Sequence, residues 1–143
     1  MSRSGYSDDC ENIGMWRGAV ERAIRGVWGQ ALLREMADAL DAMPVKELAA
    51  GVVVQDSAHV CALGSVALAR GLDVSGLDIY DREAVSRTFG VAPALAAEIA
   101  YQNDEAGPWK GETPSERWQR MRTWVAEQLI VTSVTGSKGD ADG

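Results

Sequence analysis

Histidine is almost absent from this sequence: His59 stands alone, and cysteine is limited to Cys10 and Cys61. One imidazole and two distant thiols form no zinc-ligand spacing, so no metal or cofactor is expected. Two cysteines do not make a disulfide framework either, and the thiols are read as reduced, in a cytoplasm. There is no Walker loop, no GxGxxG after a strand and no nucleophile elbow. No apolar run approaches the ~20 residues of a membrane span. The opening MSRSGYSDD is polar with no apolar stretch behind it, which argues against a signal peptide. Positive charge is scarce as well: 14 Lys and Arg face 21 Asp and Glu, for a net charge of −7. That balance disfavours broad binding to a phosphate backbone, which depends on cations releasing counterions, and it favours a basic partner.

What remains is an ordinary globular composition, 46% hydrophobic and 24% charged over 143 residues. That is one domain's length, enough to bury a core without staples. Five tryptophans are many for this length: Trp16, Trp28, Trp109, Trp118 and Trp124. Large aromatics anchor cores and interfaces alike. Arginine clusters at Arg17, Arg22, Arg25 and Arg34, and again at Arg117, Arg120 and Arg122.

Apolar periodicity predicts helices near 15–25, 28–43, 61–70, 81–89, 93–102 and 113–130. Thr113-Pro114-Ser115-Glu116 reads as a capping box with proline at the first helical position. Gly71 is placed to close the third helix. Leu48–Val54 is rich in β-formers, Gln55-Asp56-Ser57 is a turn candidate, and His59-Val60 is a short return strand. The expected fold is mainly α, a single compact domain of about six helices with one small β-hairpin. It spans 1–135, with 136–143 as a flexible tail. Leu33, Leu40, Val66, Trp118 and Met121 are expected in the core.

Cys61 opens a helix, where unpaired N–H groups and the helix dipole can lower a thiol pKa. With His59 two residues earlier, it is a weak candidate nucleophile and base. The competing reading is a buried small hydrophobe. Residues 82–102 have the frame of a helix-turn-helix. The would-be recognition helix, APALAAEIAYQ, has no Arg or Lys to read a base edge, so a packed helical hairpin is preferred and nucleic acid is disfavoured as a partner. The end of that helix and the loop after it offer Tyr101, Asn103, Asp104, Glu105 and Trp109 as a partner-binding surface: an aromatic anchor flanked by acids. The alternative is that Trp109 folds back onto the core and the acids are solvated.

Four segments, MSRSGYSDD, WRGAV at 16–20, CALG at 61–64 and ETPSERWQRMRTWV at 112–125, resemble a family of small proteins of unassigned function encoded by tailed bacteriophages and prophages of proteobacteria. The likeness runs in order to about residue 130. The CALG step after a hairpin also resembles a wider class of small bacterial and phage proteins. No catalytic residues carry over. What the resemblance implies is an accessory factor in the bacterial cytoplasm. Such a factor would bind a host or phage protein, or a second copy of itself, and the class includes host-defence inhibitors such as anti-CRISPR proteins. A small thiol enzyme using Cys61 is the alternative, and a DNA-binding helix-turn-helix protein a third, disfavoured one.

Overall fold

A computed structural model describes residues 13–51, 53–56, 59–108 and 111–130. The order is α1 (Ile13–Arg25), α2 (Val27–Ala42), β1 (Val54–Asp56), β2 (His59–Val60), α3 (Ala62–Arg70), α4 (Arg82–Phe89), α5 (Pro93–Asp104) and α6 (Pro114–Gln128). All six expected helices are present, each within a few residues of its predicted bounds. The expected C-terminal tail lies outside the described residues.

Local chemistry accounts for the helix ends. Thr113 accepts from the Glu116 N–H while Glu116 reaches back to the Thr113 N–H, so two otherwise unpaired donors are satisfied reciprocally. Asp81 caps α4 by accepting from the Ala84 N–H at 3.1 Å. Gly71 closes α3 in the left-handed conformation. Between α1 and α2 only Gly26 separates two helices, and the elbow is tight. A Cβ on Gly29 would lie 1.9 Å from the Ala23 carbonyl oxygen, so only glycine fits there.

α5 is the central element. It packs against α1, α3, α4 and α6, and Leu95, Ala96, Ala97, Glu98, Ile99 and Ala100 are all buried in it. α2 packs against α1, α3 and α6 and adds Leu32, Leu33, Met36 and Leu40 to the same core. Met121, Val125 and Val66 complete it, while Trp118 is only half-buried and donates its indole N–H to the Leu40 carbonyl at 3.2 Å. Helix phase alone overstated its burial, because that polar handle needs a carbonyl at the α2 end.

The hairpin is smaller than expected. Val54 pairs with Val60 and Asp56 with His59, so Gln55 and Asp56 belong to the strand that the sequence ended at Val54. The segment 48–51 joins no ladder; it bends at Ala50 and Gly51, the latter at a φ of +81°. Its backbone is bonded elsewhere: the Leu48 N–H donates to the Pro114 carbonyl, Ala49 exchanges with Val60 and Asn103, and the Gly51 N–H donates to Asp104. β-propensity does not see the left-handed glycine or the side-chain partners that replace a ladder here.

Candidate functional site

The CALG step is a packing device. Cys61 is the N-cap of α3, 1% exposed, and its Sγ accepts from the Gly64 N–H at 3.4 Å. Its carbonyl takes the Ser65 N–H, and the Ala62 N–H is bonded by the Asn103 Oδ1 at 3.1 Å. The donors of a helix N-terminus are therefore satisfied from within, which leaves no free anion site. Gly64 is obligatory: a Cβ there would meet the Val53 carbonyl oxygen at 1.9 Å. Burial, with a smaller push from neighbouring Asp104, raises the Cys61 thiol to about 12 against the weaker pull of backbone N–H bonds. A neutral, solvent-excluded thiol is a poor nucleophile, whatever the helix dipole contributes. His59 is exposed on β2, on the other side of the strand from buried Val60. The feature the sequence offered as reactive is thus spent on closing the core.

Asn103 and Asp104 form the polar centre next to it. Asn103 is 2% exposed, and its amide donates to the Ala49 carbonyl at 2.9 Å and to Asp104 Oδ1 at 2.6 Å. Asp104 Oδ2 accepts from the Gly51 N–H at 3.0 Å and from the Tyr80 hydroxyl. Two side chains thereby tie the 49–51 segment, the loop before α4 and the start of α3 to the end of α5. Asn103, expected at a partner surface, is instead buried as an internal clamp. Tyr101, Asp104 and Glu105 are half-buried at the α5 terminus, and Trp109 lies outside the described residues.

Beside that terminus is an open depression of about 500 Å³ between α5 and α6, lined by Gln102, Gln119, Arg120, Thr123 and Trp124 among others. Arg120 is not available there, because it holds both Glu112 carboxylate oxygens and the Gln102 carbonyl. That pairing holds the Glu112 carboxyl below the usual range. A second, more apolar depression of about 430 Å³ separates α2 from α3 and includes Met43, Val45, Val60 and Leu68.

The would-be recognition helix is α5 itself. Its central position and fully buried middle mean that it cannot enter a DNA groove, so 82–102 is a packed hairpin. Most arginines are also occupied. Arg17 binds buried Glu98 at 3.0 Å, Arg70 binds Glu35 at 2.6 Å, Arg122 binds Asp41 at 2.8 Å and Arg117 donates to the Leu48 carbonyl. Arg82 stacks 5.0 Å from the Trp16 ring. Among the described residues no group of three or more His, Cys, Asp or Glu could hold a metal ion, and no helix is long and apolar enough to cross a membrane.

No family model matches the chain, and neither the curated proteins nor the solved structures hold a significant match. Function must therefore be read from surface chemistry. On that surface the anomaly is the elbow. Trp28 is 74% exposed and Val27 79%, while Leu32 and Met36, at the same helical phase as Trp28, are buried. α1 ends before it can cover the first turn of α2. Gln30 is buried beneath, donating to the Ile24 and Gln128 carbonyls and accepting from the Ile130 N–H at 2.9 Å. It thereby holds Ile130, 45% exposed, at the same corner. The sequence reading missed this site because phase places Trp28 on the core stripe. The signal that could have found it was the glycine on each side, Gly26 and Gly29, which forces a bend and removes the covering helix.

Proposed function

We propose that this chain is a non-enzymatic phage accessory protein that holds a macromolecular partner in the bacterial cytoplasm. The elbow carries the reading. A tryptophan left three-quarters exposed next to exposed Val27, at the tight turn between two helices, is the composition of an interface anchor and has no role in the core. The resemblance of the CALG and ETPSERWQRMRTWV segments to phage proteins supplies the setting, and inhibition of a host defence system is one form that such binding takes. The thiol-enzyme reading has no comparable support, since Cys61 is buried and its thiol is held neutral.

The test is affinity capture from host lysate, with and without phage infection, using the wild type and Trp28→Ser. The expected result is one species enriched by the wild type and lost with Trp28→Ser, while the two proteins melt alike. An unchanged set of captured proteins would contradict the proposal.

A further inference from the structure

The elbow differs from the rest of the surface in charge as well as in apolarity. The molecule carries a net charge of −7, yet the acids of α2 all lie in its second half, and its first half, VWGQALLR, has none. Glu35 and Asp41 there are already held by Arg70 and Arg122. Arg22 and Arg25 end α1 one helical turn apart, and Arg34 follows Val27 and Ala31 at i+7 and i+3 on one exposed stripe of α2. Among the described residues none of the three has an ion pair, whereas Arg17, Arg70, Arg117, Arg120 and Arg122 do. The only acid within α1 is Glu21.

Resting on the binding function proposed above, we infer that the elbow takes an acidic segment of a partner protein, one that seats a single apolar side chain against Trp28, Val27 and Ile130 while its carboxylates meet Arg22, Arg25 and Arg34. Guanidinium groups pair with carboxylates in a fixed two-pronged geometry, and several of them on the two helices that meet at an exposed indole select for sign and for an anchor together. A nucleic acid is the weaker fit. Three free arginines with Glu21 and Asp38 beside them, on a chain of net charge −7, give little field for a strand carrying one charge at every phosphate.

The experiment uses defined probes and the full chain. A short peptide of Asp and Glu around one Phe is titrated by fluorescence polarisation, beside the same peptide with Lys for every acid, the acidic peptide without Phe, and oligo(dT). The acidic Phe peptide is expected to bind best, to weaken about tenfold or more with Arg22→Glu/Arg25→Glu/Arg34→Glu and with Trp28→Ser, and to weaken with salt. Arg87→Glu, at an exposed arginine on α4, is expected to change nothing. Equal binding of acidic and basic peptides, or tighter binding of oligo(dT), overturns the inference. So does a dimer that Trp28→Ser dissociates, which would assign the face to a second copy. A chain ending at Ile130 that binds the peptide more than about tenfold tighter would assign it to the chain's own last residues, and would also overturn it. If lysate capture is lost with Trp28→Ser but survives the triple charge reversal, this inference fails and the binding function stands.

Discussion

The start of α3 and the elbow between α1 and α2 are both corners closed by a glycine, and they use chemistry in opposite ways. At Cys61 every polar group is turned inward: the thiol caps a helix, Asn103 bonds the Ala62 N–H, and Gly64 lets the Val53 carbonyl come close. At the elbow the glycine contact is equally tight, with Gly29 against Ala23, but the large side chain next to it points to solvent. A reactive residue type is therefore no guide to function here. What distinguishes the two corners is which one leaves an interaction unmade.

The largest expected effect breaks the first corner. Gly64→Ala places a methyl 1.9 Å from a backbone oxygen that cannot move away cheaply, and should cost about 3 kcal/mol of stability in denaturant unfolding. Gly29→Ala, with the same clearance at the elbow, should cost a similar amount. If either is neutral, the corner is not as tight as described. Asn103→Ala comes next: it leaves the Ala49 carbonyl and the Ala62 N–H without their partner, for a loss of about 2 kcal/mol.

Cys61 sharpens the comparison through pH. Its folded-state pKa, about 12, lies above that of an unfolded-chain thiol. The unfolded state therefore releases its proton first as pH rises. The stabilising contribution is intact below the unfolded pKa and is lost between that value and about 12. In a Cys10→Ser background the native protein should resist iodoacetamide at neutral pH and react only on unfolding. Its alkaline loss of stability should be steeper than that of the Cys10→Ser/Cys61→Ala protein. Prompt alkylation of the folded protein would restore the thiol-enzyme reading. The smallest effect belongs to the elbow: Trp28→Ser should change stability by no more than about 0.5 kcal/mol, because the side chain is already in water.

Helix positions were legible in the sequence because caps and breakers are local: the Thr113–Glu116 box, Asp81 and Gly71 act within one turn. The 48–51 segment departs from the expected strand because most of its hydrogen bonds go to Asn103, Asp104 and Pro114, partners distant in sequence. Asn103 looked like a loop residue for the same reason, since nothing local says that its amide will be buried. Trp28 was invisible as a site because periodicity describes one helix and says nothing of where its neighbour stops.

The comparison is tested most directly by capturing the partner from one lysate with Trp28→Ser and Cys61→Ser proteins side by side. The expected result is loss of the partner with Trp28→Ser, with its melting temperature retained, and normal capture by Cys61→Ser. Retention by Trp28→Ser together with loss by a folded Cys61→Ser protein would contradict the account.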